Sequence, residues 1–172
     1  MHLVIMMWSV VAAWRWCNWD NWMRYYPTML YVTIFHLFYS YLSHLFDFHL
    51  WQVMGEWFPN HLLADVIYIF IVLPLTAFQF LSSYPQERLQ RIWHYVKWIL
   101  IYVGVEGVAY IFGRITYDNG WSLLWSAIFD AIMFPMIRFH FLKPAWAWPL
   151  SFVICVGFIW LFQMPIFQSR PL

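Results

Sequence analysis

The sequence predicts an all-α fold, a polytopic transmembrane helical bundle in which residues 1–172 form a single integral membrane domain. Hydrophobic residues make up 64% of the chain and charged residues only 10%, whereas soluble domains are about 45 to 50% apolar and about 25% charged. Five apolar stretches are also long enough to cross a hydrocarbon core roughly 30 Å thick, which takes about 20 helical residues. Short polar breaks separate most of these stretches, as expected of helices that cross a bilayer back and forth.

Each of the five spans follows from an apolar run bounded by polar or turn-forming residues. The spans cover residues 25–45, 61–80, 93–113, 121–141 and 145–164. A charged turn at 85–91, the turn signal Tyr117-Asp118-Asn119-Gly120 and the break at Lys143-Pro144 separate the later spans. Because these connections are short, consecutive spans should be antiparallel neighbours, which leaves no room for a soluble catalytic domain.

Two further segments are harder to assign. Residues 1–14 are apolar but short, and we expect them to form a short N-terminal sixth span if Arg15 to Trp19 enter the interface; the alternative is a segment on the membrane surface. The segment lacks the positive start and small-residue cleavage site of a signal peptide, so we expect it to be retained. Residues 46–60 are too short and too mixed to span, and they are predicted to lie along the headgroups as an interfacial cap.

The basic residues predict the orientation, because loops rich in Lys and Arg stay in the cytoplasm. Seven of the nine fall on one side: Arg15, Arg24, Arg88, Arg91, Lys97, Arg138 and Lys143. Arg114 and Arg170 fall on the other. The sequence therefore predicts a multi-pass plasma-membrane protein with cytoplasmic loops near Arg24, Arg88 and Lys143 and an outside C-terminus.

Glu106 and Asp130 are the most informative residues, since each lies inside a span. Moving an ionised side chain into hydrocarbon costs at least about 2.5 to 3.5 kcal/mol, so such groups usually face a bundle interior, a partner or a water-filled path. Counting from the window midpoints at about 1.5 Å per residue puts both slightly outward of the membrane centre. Two carboxylates at one depth would repel each other, and a shared proton or a bound cation would relieve that repulsion.

Polar residues recur three or four positions apart on four of the spans, which gives each of those helices one polar face. Since lipid cannot solvate these faces, we expect them to meet in a polar seam that opens to the outside. The candidate seam residues are Glu106, Asp130, His36, Asp65, Tyr102, Tyr110 and Ser126. His36 would be the natural proton partner of the carboxylates. The alternative is that these side chains only join helices, at about 0.6 kcal/mol per hydrogen bond.

Other kinds of site have weaker support. His44, His61 and Asp65 are candidate metal ligands, but only His61-x3-Asp65 has a suggestive spacing. No HExxH, GxSxG, phosphate-loop or CxxC motif is present, Cys17 and Cys155 are interpreted as packing residues, and no cofactor is predicted. With a net charge of +1 and scattered basic residues, the chain is not expected to bind nucleic acid.

Two stretches carry a family resemblance: Asn21-Trp22-Met23-Arg24-Tyr25-Tyr26-Pro27-Thr28 and Ile115-Thr116-Tyr117-Asp118-Asn119-Gly120-Trp121-Ser122. Together with Phe129-Asp130, Met133-Phe134-Pro135, Arg138 and Ala147-Trp148, they make the chain resemble a family of small polytopic membrane proteins of Bacillus and related Firmicutes to which no function is assigned. The resemblance implies a bacterial plasma-membrane location and a Gram-positive source. It implies no catalytic or binding residue.

Three functions of different classes are compatible with the sequence. The favoured one is an accessory or interaction subunit, whose partners would be the lipid bilayer and a membrane protein or a second copy of the chain. The first alternative is a small transport-like or proton-sensing bundle that uses the outward-facing seam around Glu106 and Asp130. The second is an intramembrane metal-assisted enzyme, so the sequence leaves open whether the protein is an enzyme.

Overall fold

The structure, a computed structural model, describes residues 2–54 and 65–166 and is mostly helical. Its helices are α1 (His2–Trp16), α2 (Trp22–Phe46), α3 (Asp65–Ser82), α4 (Arg88–Ile111), α5 (Leu123–Leu142) and α6 (Pro144–Leu161). Two short strands, β1 (Trp51–Val53) and β2 (Ile115–Tyr117), pair antiparallel. The predicted all-α class is confirmed, and this two-stranded sheet between distant segments is the one addition among the described residues.

Among the described residues, four helices are long and apolar enough to cross a membrane: α2, extended to Trp19 by a 3-10 turn, α3, α5 and α6. Helix α1 is apolar but has only 15 residues. Helix α4 has 24 residues, and its charged Lys97 and Glu106 make it less apolar than the other four. Length and composition within the described ranges therefore support four spans. They do not confirm the predicted five spans plus a sixth.

The bundle is built around α2, α3 and α5, whose apolar side chains share one core. Helix α2 packs against α3 and α5, α4 and α6 pack against α5, and α1 packs against α3. The buried core residues are Tyr31, Val32, Ala77, Phe80, Leu81, Phe134 and Ile137. Phe80 lies at the centre, with its ring centroid 5.2 Å from that of Phe134. The arrangement places α4 at the side of α5, where their facing surfaces carry the polar residues described below.

Helix α3 contains a π-helical turn at Tyr68–Val72, just before Pro74. A proline inside a helix cannot donate to the carbonyl four residues before it, and its ring pushes that carbonyl away. The chain widens instead, and the Leu73 N–H bonds to the Tyr68 carbonyl five residues back. Thr33 of α2 donates a side-chain hydrogen bond to the Ile69 carbonyl at 3.3 Å, which helps to satisfy the altered turn.

The two strands close one end of the bundle. Trp51 pairs with Tyr117, and Val53 pairs with Ile115. After β2, Asn119 and Gly120 both have positive φ, 51° and 81°, and the Trp121 N–H bonds to the Asp118 carbonyl at 3.0 Å, so the predicted turn is present. Of the predicted interfacial cap at 46–60, residues 46–54 contribute β1, and residues 55–60 lie outside the described residues.

Candidate functional site

Glu106 is held at the contact between α4 and α5 by two hydroxyl donors. The Tyr117 hydroxyl donates to its Oε1 at 2.8 Å, and the Ser126 hydroxyl donates to the same oxygen. Tyr117 comes from β2 and Ser126 from the first turn of α5, so three separate elements meet at one carboxyl group. Hydrogen bonds to an ionised acceptor are roughly twice as strong as neutral ones. The arrangement can therefore support a negative charge on Glu106.

Trp121 determines which group the Ser126 hydroxyl donates to. The indole Nε1 of Trp121 can only donate, and it does so to the Ser126 Oγ at 2.8 Å. Both side chains are buried. With its oxygen accepting from the indole, the Ser126 hydroxyl is free to aim its proton at Glu106. Trp121, Ser126 and Glu106 thus form a short relay in which each donor has one acceptor.

Asp130 lies one helical turn beyond Ser126 on α5 and is only 4% exposed. Its Oδ2 has no hydrogen-bond partner among the described residues, and its charge interacts with that of Glu106. Burying an isolated ionised carboxylate is expensive, and such a group takes a proton or pairs with a cation. The two carboxyl groups therefore differ: Glu106 has two donors, and the second oxygen of Asp130 has none.

Two tyrosines, Tyr110 and Tyr117, lie beside Glu106 and Asp130 on the side away from the helical core. Tyr110 stacks on Tyr117 with ring centroids 4.8 Å apart and is itself 52% exposed. Burial raises the pKa of the Tyr117 phenol above its ordinary value, and the hydrogen bond to Glu106 raises it further. Tyr117 therefore stays a neutral donor at physiological pH.

Tyr102 lies on the inner side of the pair, towards the core. Its hydroxyl donates to Thr76 of α3 at 2.7 Å, its ring contacts Phe134 at 5.3 Å, and its hydroxyl group interacts electrostatically with Asp130. The structure thus brings together five of the predicted seam residues: Tyr102, Glu106, Tyr110, Ser126 and Asp130. We name these five, with Tyr117 and Trp121, the carboxyl site.

Tyr117 and Trp121 were missed as site residues because their sequence context indicated other roles. Tyr117 opens the turn signal before Gly120, and Trp121 begins a span, where an indole usually anchors the helix at the headgroups. Their spacing from Glu106 offered no helical signal, since they follow the helix end. Only the polar content of the segment between α4 and α5 could have hinted at them.

His36 and Asp65 belong to a different cluster, so the prediction that His36 partners the carboxyl pair is corrected. The His36 ring packs against Trp51 at 5.8 Å and Tyr39 at 6.3 Å, and it makes no hydrogen bond or ion pair with Glu106 or Asp130. Asp65 instead faces His44, with Oδ2 3.6 Å from Nε2. The reason is that α2 turns this polar face towards β1 and the start of α3 rather than towards α4.

The described residues give the metal hypothesis no geometric support. In the ranges 2–54 and 65–166, no three His, Cys, Asp or Glu side chains are grouped so that they could hold a metal ion. His44 and Asp65 are close, as the sequence suggested, but they are only two. The third candidate, His61, lies outside the described residues.

Apolar helices of spanning length, packed around polar contacts, define an α-helical membrane protein. The carboxyl site lies between two of its helices, where such proteins place ionisable groups that act in function. Comparisons of the chain with protein-family models, with curated proteins and with solved structures find no match. The carboxyl site is therefore the main basis for a functional proposal.

Proposed function

We propose that the protein is a proton-sensing or small transport-like bundle of the plasma membrane, in which Glu106 and Asp130 bind and release a proton. The observation that carries this proposal is the buried, unpartnered Oδ2 of Asp130 beside a second carboxyl group. A buried carboxyl oxygen without a donor is unusual in a folded protein and often marks a functional site. In this proposal the Asp130 Oδ2 is the atom that carries the bound proton.

The two groups are suited to share one proton. Interacting carboxyl groups titrate as a pair, because a charge on one changes the proton affinity of the other. Glu106 has donors for its charged form in Tyr117 and Ser126. Asp130 has a free oxygen to hold the proton. The exposed Tyr110 and half-buried Tyr117 lie between the pair and the strand-capped end of the bundle, which gives a short route to solvent there.

We also propose that the chain crosses the membrane six times. Helix α4 is roughly 36 Å long at about 1.5 Å per residue, and it packs against the spanning helix α5. Helix α1 packs along α3 through Ser9, Ala12 and Ala13, and Gln79 donates to the Ser9 carbonyl at 3.0 Å. These contacts favour α4 as a fifth span and α1 as a sixth. The excess of basic residues favours cytoplasmic ends near Arg24, Arg88 and Lys143 and an outside C-terminus.

The sequence stretches around Arg24 and Asp118 support membership of the Bacillus-type family of small polytopic membrane proteins, and with it a bacterial plasma membrane.

Infrared difference spectroscopy of the purified protein in vesicles tests proton binding directly. A protonated carboxyl group has its own carbonyl band, and we expect one such band to disappear as the pH rises across about pH 5 to 9. Asp130→Asn should abolish the band, and Glu106→Gln should shift its titration because the neighbouring charge is gone. Asp118→Asn, which removes an exposed carboxyl group, should leave the band unchanged and is the matched control.

A second measurement distinguishes proton transport from proton sensing. Vesicles containing a pH-sensitive dye report proton uptake, and faster uptake with wild type than with Glu106→Gln would assign transport, whereas equal uptake would assign sensing. No pH-dependent carboxylic-acid band, or a band that survives in Asp130→Asn, would rule out proton binding at this pair.

An accessory or interaction subunit is the second candidate, and the surface of α6 favours it. Ala147 and Ser151 are the only buried residues of α6, and Val153 is 67% exposed. A photo-crosslinking residue at position 153 should capture a membrane protein in native membranes, while one at the exposed Leu100 of α4 serves as the control. Capture of lipid alone at both positions would argue against this role.

A further inference from the structure

Three arginines at one end of the bundle share two aromatic rings. The Arg138 guanidinium carbon lies 4.2 Å from the Tyr84 ring centroid and 5.4 Å from that of Phe141. Arg24 lies 5.2 Å from the Phe141 ring, and Arg91 lies 6.0 Å from the Tyr84 ring. Phe141 is thus contacted by Arg24 and Arg138, and Tyr84 is contacted by Arg138 and Arg91.

The fold brings these arginines together from distant parts of the sequence. Arg24 is in the first turn of α2, Arg91 in the first turn of α4, and Arg138 in the last turns of α5. In an antiparallel bundle these three positions lie at the same end. Other contacts hold the two rings in place, since Phe141 stacks on Tyr25 at 5.4 Å and the Tyr84 hydroxyl donates to that of Tyr95 at 3.1 Å.

No carboxylate neutralises the group within the part of the chain that the structure describes. None of the three arginines forms an ion pair there. Asp20 and Glu87 lie four residues before Arg24 and Arg91, but neither forms an ion pair with these arginines. Glu87 instead accepts a hydrogen bond from Gln90 at 2.6 Å. Arg91 donates to the carbonyls of Pro85 and Gln86, which are neutral. Three cations on shared rings thus lack a protein anion, and a bound anion would offset their repulsion.

The chemistry of the group points to a phosphate ligand. A guanidinium group presents a planar fork of donors that matches phosphate oxygens in pairs, and stacking on aromatic rings fixes the plane of the fork. The arginines also lie at helix ends, where a membrane protein meets the headgroups, and Leu89 and Leu142 on the same helix ends are well exposed. We propose that Arg24, Arg91 and Arg138 bind the phosphate group of an anionic phospholipid, with its acyl chains against the neighbouring apolar surface.

Native mass spectrometry of the purified full chain, with phosphatidylglycerol or phosphatidylcholine added to the detergent micelles, tests this site. We expect wild type to retain phosphatidylglycerol in preference to phosphatidylcholine. Arg138→Gln should weaken phosphatidylglycerol binding about tenfold, since it removes charge-assisted hydrogen bonds. Lys143→Gln removes one charge at the same end but no ring-stacked guanidinium, so its binding should match wild type within about twofold.

Two additions make the outcome decisive. Arg24→Gln changes an exposed side chain and should also weaken binding, so the test does not depend on the folding of Arg138→Gln. Inorganic phosphate, added in place of lipid, tests whether the arginines bind a free phosphate ion instead of a phospholipid. Equal weakening in Lys143→Gln, unchanged binding in both arginine variants, or retention of inorganic phosphate without phosphatidylglycerol would each overturn the proposal.

Discussion

The Tyr117 hydroxyl donates a hydrogen bond of 2.8 Å to the Oε1 of Glu106, which joins β2 to α4. The strand that follows α4 therefore folds back on the helix that it leaves and covers the polar face of its last turns. The same strand pairs with β1, so the cap over this end of the bundle is connected to a carboxyl group inside it. The cap and the contact between α4 and α5 therefore share one carboxyl group.

Tyr117→Phe should weaken that connection without disturbing the rest of the bundle. It removes one of the two donors to Oε1, and we expect the free energy of unfolding to fall by about 0.5 to 1.5 kcal/mol. Equilibrium unfolding in detergent micelles measures this. Tyr110→Phe is the control, because that ring stacks on Tyr117 while its hydroxyl has no hydrogen bond among the described residues. Equal losses in the two variants would contradict the assignment.

Ser126→Ala should lower the free energy of unfolding by more than the loss of a single hydrogen bond would. It takes a donor from Glu106 and also leaves the buried Nε1 of Trp121 without an acceptor. An unpaired buried donor costs about 1 to 3 kcal/mol, and the free energy of unfolding should fall by that amount. Ser122→Ala, four residues earlier with no side-chain capping bond, should change it by less than about 0.5 kcal/mol. A Ser126→Ala protein as stable as wild type would refute the relay.

Tyr31 and Ser151 should show a measurable coupling between α2 and α6. Their hydroxyls lie 2.5 Å apart, and both residues are buried. A double-mutant cycle with Tyr31→Phe and Ser151→Ala should give a coupling of about 0.6 kcal/mol and no more than about 1.7 kcal/mol, the range for hydrogen bonds between membrane helices. A coupling near zero would mean that apolar packing alone holds α6 on the bundle.

Cys17 should react slowly with thiol reagents at neutral pH. Burial raises its pKa from 9.0 to about 11. The thiolate is the reactive form, so at pH 8 its fraction, and with it the alkylation rate, should be about a hundredfold below that of a free cysteine. In a Cys155→Ala background, the maleimide rate should then rise about tenfold per pH unit up to about pH 11. A rate like that of free cysteine at pH 8 would contradict the burial of this thiol.

Most of the helices could be predicted from apolar runs alone. The expected span at 25–45 corresponds to α2 at Trp22–Phe46, and that at 121–141 corresponds to α5 at Leu123–Leu142. Helical rise also predicts that Glu106 and Asp130 lie at one depth, and in the structure their charges interact. Both results depend on local geometry, which a single sequence contains.

The partners of the carboxyl pair depended on packing instead. Helical spacing placed His36 on a polar face of α2, but it could not say which neighbour that face would meet, and the face turned towards Trp51 and Asp65. Nor could it bring Tyr117 to Glu106, since that contact requires β2 to fold back and pair with β1. Apolar length and helical rise are properties of each segment, and they determined where the helices and their charges lie. The rotation of each helix about its axis minimises buried unpaired polar groups over the whole bundle, so it was decided only when all the segments packed together.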